Sequence, residues 1–232
     1  MKLFDNNTSE IKVKICGIAN QIDIQECTKA GVSALGFLLG EANGEQPTDK
    51  LSIREAKELV KKVPTSVASV LLLKDDDFDE LEAKISYINP TAIQLQSQSL
   101  NEETVAKLNI SFPNLEIIKT IKIQDHYILQ DIIQISQPFL VHINAVLFDS
   151  PKGGSGKTHN WSLSNKAFEY FKTKNIATVL AGGLNTTNIL SAIHIAKPNL
   201  VDIMSGVSTT RGVKNIPEVI NLMKLINQLN IS

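Results

Sequence analysis

Little in this sequence points to metal, disulfide, membrane or nucleic-acid chemistry. Only two cysteines, Cys16 and Cys27, occur in 232 residues, which excludes a disulfide framework, and their spacing matches no zinc pattern. The four histidines are scattered, so no metal site is expected. No apolar run is long enough to span a bilayer, and Met1-Lys2-Leu3-Phe4-Asp5-Asn6-Asn7 lacks the apolar core of a signal peptide. A formal net charge of −1 removes the electrostatic case for nucleic acid or an anionic membrane surface. These absences leave a small molecule as the expected ligand, bound by local features in a reducing cytoplasm.

What is present is ordinary for a globular protein: 43% hydrophobic and 20% charged residues, in a chain long enough to bury a full core. No Pro/Gly/Ser-rich linker divides it, so one domain is expected, preceded by a short polar extension over residues 1–10. Short β-branched runs alternate with longer amphipathic segments throughout. Candidate strands are Lys12–Ile15, Ala34–Leu39, Ser66–Leu73, Ala92–Leu95, Glu116–Ile121, Ala145–Phe148, Ala177–Leu180 and Leu200–Met204. Candidate helices are Gln21–Ala30, Ser52–Val63, Asp77–Ile88, Glu102–Leu108, Ile123–Ile135, Ser162–Lys172, Thr187–Ile195 and Ile216–Leu229. Eight such units predict an α/β fold of the closed (β/α)₈ TIM-barrel type. An open doubly wound sheet uses the same alternation, but its GxGxxG turn after the first strand is absent.

In such a barrel the chemistry sits at the carboxyl ends of the strands. The stretch from Asp149 to Thr158 follows the sixth strand, where a carboxylate opens into the glycine-rich Lys152-Gly153-Gly154-Ser155-Gly156. An acid beside a phosphate cradled by backbone N–H groups, Gly153 and Gly154 among them, needs such a stretch; a plain connecting loop is the other reading. A nucleotide P-loop is excluded by Pro151, which stands where that motif requires its leading glycine. Gly182-Gly183 after the seventh strand and Ser205-Gly206 after the eighth bring bare backbone together, and a short helix after Ser205 is expected to add its N–H groups to a phosphate site.

Two reacting groups stand out. Cys16 closes the first strand ahead of Gly17, either as a base or as a small buried hydrophobe; Lys14, two residues earlier, is expected to face the other side. Cys27 reads as core. Asp149 is either a proton donor with a pKa raised by desolvation or a group that orders the glycine loop.

Taken together, Lys14-Ile15-Cys16-Gly17, Gly36-Phe37, Gln94-Leu95, Asp149, Gly153 to Thr158 with Trp161, Ala181-Gly182-Gly183-Leu184-Asn185, and Val201-Asp202 with Ser205-Gly206-Val207 resemble, in order, the motifs of the phosphoribosylanthranilate isomerase family. The resemblance runs from about Val13 to the end of the chain. It implies a (β/α)₈ barrel acting on a phosphosugar in tryptophan biosynthesis, as a monomer or homodimer without metal or cofactor. It also implies that Asp149 is the general acid that protonates the furanose oxygen and Cys16 the base that removes the C2 proton.

The aglycone end departs from the family. Asp49 stands where an arginine usually receives the anthranilate carboxylate, with Lys50 and Arg54 as nearby substitutes and Gln94 and Gln96 as further contacts. His159-Asn160-Trp161 replaces Phe-Asp-Trp, and Ser208 replaces an acidic residue. The Gly40–Leu51 loop is longer and more acidic than the family's. A related isomerase acting on a different ribose phosphate, or a non-catalytic phosphosugar-binding barrel, therefore stands beside the first reading.

Overall fold

The alternating runs fold as a closed parallel barrel in a computed structural model that describes residues 2–4, 10–40, 49–151 and 157–231. Its eight strands are Lys12–Cys16, Ala34–Leu39, Ala68–Leu73, Ala92–Leu95, Glu116–Lys122, Ala145–Asp149, Ala177–Leu180 and Leu200–Ile203. Each pairs in parallel with the next, and the first pairs with both the second and the eighth, which closes the ring. A two-residue strand, Lys50–Leu51, pairs in parallel with Leu38 and Leu39 of the second strand, beyond the end of the first strand's pairing at Gly36.

The helices between strands are Gln21–Lys29, Ile53–Val60, Phe78–Ile88, Glu102–Ser111, Leu129–Ser136, Trp161–Thr173 and Ile189–Ala196, with Ile216–Ile231 closing the chain. Asn20, Ser52, Asp77, Asn101 and Asn160 each cap a helix by accepting a backbone N–H from its first turn. A cap of this type contributes about 1 kcal/mol. At Ser52 the Glu55 carboxylate reaches back to the Ser52 N–H at 2.8 Å, completing a capping box.

Two helices start at least two residues later than their apolar pattern predicts. The fifth begins at Leu129 instead of Ile123, because the fifth strand runs on and the Ile123 N–H donates to the Asp149 carbonyl at 2.9 Å. The seventh begins at Ile189 instead of Thr187. There the Asn185 side chain accepts from the Thr187 N–H (2.9 Å) and hydroxyl (2.6 Å), a local turn that competes with helix.

Strand residues alternate between two cores. Those facing the helices, such as Phe37, Leu71, Ile93, Ile117 and Phe148, join the large outer cluster. There the Phe148 ring meets Phe168 at 4.8 Å and Phe171 at 6.0 Å between centroids. Inside the barrel, at the amino ends of the strands, Ala34, Ala68, Ala92, Ala145 and Ala177 form a smaller cluster with Leu200. Side chains this small leave a space, and Leu3 from the chain's beginning fills it with 0% exposure. The plug is tethered by polar groups: the Glu116 carboxylate accepts the N–H groups of Leu3 (2.5 Å) and Phe4 (2.9 Å), and Lys12 Nζ donates to the Leu3 carbonyl at 2.6 Å.

Removing the plug should cost what a core truncation costs. Leu3→Ala is expected to lower unfolding free energy by about 2–5 kcal/mol in urea titrations, with little effect on turnover at the opposite rim. A loss below about 0.5 kcal/mol, the scale of ordinary surface changes, would show that the plug is not part of the folded state.

Candidate active site

At the carboxyl ends of the strands the barrel opens into a cavity of about 290 Å³ that both Cys16 and Asp149 line. Its floor is a buried polar layer. Lys14, fully buried, donates from Nζ to Asp202 Oδ2 at 2.7 Å and to Gln94 Oε1 at 2.9 Å. Gln94 in turn donates to the Thr120 hydroxyl at 3.3 Å. Asp202 Oδ1, also buried, has no hydrogen-bond partner among the described residues. The expectation that Lys14 faces away from Cys16 is overturned: side chains along a strand repeat every second residue, so positions 14 and 16 share the inner face.

Gly36 on the neighbouring strand makes room for both side chains. A Cβ there would lie 2.8 Å from Cys16 Sγ and 3.1 Å from Lys14 Cε. Burial pushes the Cys16 thiol up to about 11, with the Lys14 and Lys214 cations pulling the other way. Burial works against the Lys14 ammonium, but Asp202 and the Cys16 sulfur outweigh it and hold the Lys14 pKa above its ordinary value. The resting pair is therefore a neutral thiol above a cation, and that cation is positioned to compensate a thiolate when one forms.

Asp149 sits five strands round the ring from Cys16 in chain order, at the end of the sixth strand. Burial raises its pKa, and the Asp202 charge adds to the rise. The Ser150 N–H, donating to Oδ1 at 2.8 Å, and the Lys122 ammonium oppose it. The carboxyl group thus retains its proton to higher pH than a solvated aspartate does, as a general acid requires.

The loops after the seventh and eighth strands meet beside it. Gly182 has φ +85°, and a Cβ there would lie 2.8 Å from the Ser150 nitrogen and 3.1 Å from Asp149 Oδ1. Only a residue without a side chain brings the seventh loop this close to the acid. Gly182, Gly183 and Ser205 line the cavity. Gly206 does not; it joins the two loops through its pairing with Asn185, where a Cβ would fall 2.0 Å from the Leu184 carbonyl oxygen. The short helix expected after Ser205 is not formed. Instead Ser208–Thr210 pairs with Val213–Lys214 as a small antiparallel ribbon, turned at Gly212 with φ +75° and tied by Lys214 Nζ donating to the Ser208 hydroxyl at 2.9 Å. Gly153 and Gly154 lie outside the described residues, as does most of the Gly40–Leu51 loop.

Of the expected aglycone contacts, Lys50 and Gln96 line the cavity, and Gln94 lines it while engaged with Lys14 and Thr120. Arg54 lies on the exposed first turn of the second helix, away from the cavity wall. Asp49, only 7% exposed, lines the wall at the point where the resemblance expects an arginine. His159 and Asn160 belong to the start of the sixth helix: Asn160 is its cap and His159 Nε2 bonds the Ser164 hydroxyl at 2.9 Å, while burial pushes the imidazole down to about 4. Five lining or flooring residues were not singled out as site residues in the sequence: Lys14, Lys74, Lys122, Asp202 and Arg211. Lys74 and Lys122 end or follow an apolar strand in the same way as Asp149, so the rule that located the acid also reaches them.

A family profile described as PRAI, N-(5'phosphoribosyl)anthranilate (PRA) isomerase, matches residues 13–225. N-(5'-phosphoribosyl)anthranilate isomerase of Methanocaldococcus jannaschii is 31% identical over 227 residues, covering 94% of this chain and 98% of that protein. The Methanothrix thermoacetophila enzyme of the same name is 31% identical over 202 residues, covering 85% and 89%. Among solved structures, phosphoribosyl anthranilate isomerase from Thermotoga maritima superposes with a TM-score of 0.75 at 25% identity, covering 94% of this chain and 99% of that one. The barrel, the order of its motifs and these matches along nearly the whole chain agree: it belongs to the N-(5'-phosphoribosyl)anthranilate isomerase family.

Proposed function

We propose that this protein isomerises N-(5-phosphoribosyl)anthranilate to 1-(2-carboxyphenylamino)-1-deoxyribulose 5-phosphate, the Amadori rearrangement of tryptophan biosynthesis. The observation that carries the reading is one cavity lined by a thiol above a buried cation and by a carboxyl group with a raised pKa. Asp149 donates its proton to the furanose ring oxygen as the C1–O bond breaks, giving an open-chain Schiff base. The Cys16 thiolate then takes the proton from C2, and the electron pair moves to form the enolamine. Tautomerisation returns a proton to C1 and leaves the ketone at C2. Every step is a proton transfer or a bond shift within the substrate, so two side chains of opposite role suffice.

Lys14 serves as counter-ion to the thiolate, held by Asp202 so that it does not move when the sulfur changes charge. The sugar phosphate is assigned to the backbone of Gly182, Gly183 and Ser205, with Arg211 beside Ser205 adding positive charge. Among the described residues no helix is long and apolar enough to cross a membrane. A cytoplasmic location belongs to the same proposal, supported by two cysteines that are both unpaired.

Cys16→Ala and Asp149→Asn are each expected to lower kcat on the order of 10²–10⁴-fold while the circular dichroism and melting profile stay native. Turnover close to wild type in either variant would remove that residue's assigned role. Complementation of a strain lacking the step supplies the test in cells.

The pH profile has a definite sign. The productive form needs Asp149 protonated and Cys16 ionised, yet the thiol titrates near 11, above the carboxyl group. Between the two pKa values the productive fraction is small and constant; it falls below the acid's pKa because the thiolate is lost, and above the thiol's because the carboxylic acid is lost. kcat/KM is therefore expected to be flat between the two pKa values, with an alkaline limb near 11. An alkaline limb near 7 would place the thiol's titration elsewhere.

A further inference from the structure

The substrate of the proposed reaction is anionic at both ends, carrying a phosphate on the sugar and a carboxylate on the aromatic ring. The phosphate loops follow the seventh and eighth strands, Cys16 ends the first and Asp149 the sixth. The base and the acid thus flank the phosphate loops on either side. With the reacting carbons held between them, the aglycone points across the barrel axis toward the strands opposite, the third and fourth.

A second cavity of about 600 Å³ opens on that side, and it shares Lys50, Leu72 and Lys74 with the central one. Leu39, Leu51 and Ile53 give it apolar walls suited to a benzene ring. Its cations are not equally available. Lys84 is bound to Asp75 at 2.6 Å and lies 3.6 Å from Glu80. Lys74, directly after the third strand, is exposed and makes no hydrogen bond or ion pair with a described residue. The remaining rim cations serve other positions: Lys50, which lines both cavities, is already engaged in another contact, Lys122 acts on Asp149, and Arg211 stands beside Ser205 at the phosphate end. Asp49 adds a negative charge to the wall where the family places its arginine, which repels a carboxylate from that point.

We propose that Lys74 receives the carboxylate of the aromatic ring, with the ring itself between Leu39, Leu51 and Leu72, so that recognition of the acid has moved from the loop before the second helix to the end of the third strand. The assignment rests on the isomerase reading. A lysine offers one compact charge in place of a guanidinium fork, so the contact discriminates by charge more than by the angle of the carboxylate. On the proposed geometry Lys74 is a binding residue that takes no part in the proton transfers.

The test is a pair of ligands titrated by calorimetry: reduced 1-(2-carboxyphenylamino)-1-deoxyribulose 5-phosphate, and the same compound with a plain phenyl ring. Lys74→Met is expected to weaken the carboxylated ligand about tenfold, the lower end of a charge-assisted hydrogen bond because Lys74 is exposed. It should change affinity for the phenyl compound less than about twofold, and Lys74→Arg should recover most of the loss. Unchanged affinity for the carboxylated ligand, or equal weakening of both, overturns the assignment. Turnover of phosphoribosylanthranilate by the wild-type protein is measured alongside. If the wild type converts it and Lys74→Met binds both ligands normally, the lysine's role alone falls; if the wild type converts none, the isomerase reading falls and takes this assignment with it.

Discussion

The buried contact between Lys14 and Asp202 is the constraint on which the site depends. An ammonium with no exposure is placed 2.7 Å from a carboxylate inside a barrel, directly above an apolar base layer. Removing either partner would strand a charge at a cost of about 3–5 kcal/mol, so the pair is a liability for folding unless each end is satisfied. Gln94 and Thr120 extend the network on the lysine side. The arrangement keeps a positive charge beneath Cys16 in every state of the sulfur. A thiol in an apolar socket of the same shape would lose its proton with far more difficulty, since burial is already the largest influence on it.

The barrel serves this floor in three layers. Five alanines at the amino ends, together with Leu200, make a narrow apolar base closed by Leu3. The polar layer of Lys14, Gln94 and Asp202 lies above it, and Cys16, Leu38, Leu72, Thr120 and Asp149 ring the mouth. Stability and chemistry are thereby separated along the axis, as expected of a fold in which catalytic groups come from strand ends. Glycine at position 36 is part of the same separation, since any side chain there would press on both Cys16 and Lys14.

Much of this was legible from residue order. The eight strands and their helices follow from hydrophobic periodicity, and Cys16 and Asp149 follow from asking what occupies the strand ends. The errors have physical causes. Ile123 to Ile135 carries a helical pattern, but Ile123 continues the fifth strand's pairing by donating to the Asp149 carbonyl of the sixth strand, and a turn follows before the helix begins at Leu129. The ribbon at Ser208 to Lys214 replaces a helix because Gly212, with positive φ, turns the chain back on itself and Lys214 finds Ser208. Lys14 stands beside Cys16 by the strand's own alternation, in which residues two apart share a face. Asp202 lies within an apolar strand, and its partner on the first strand is visible only once the ring closes. Arg54 reads as a cation near the site, yet a helix surface turns it outward.

Gly182 links two duties that are usually described apart. Its missing side chain lets the seventh loop pack so near the Asp149 carboxyl group that an added Cβ would lie 3.1 Å from Oδ1. A phosphate dianion seated on that loop adds negative charge next to a carboxyl group already disfavoured from ionising, and so strengthens its hold on a proton. On the proposed assignment, arrival of the sugar phosphate would arm the acid: the ligand's own charge would help set the protonation state in which its ring can be opened.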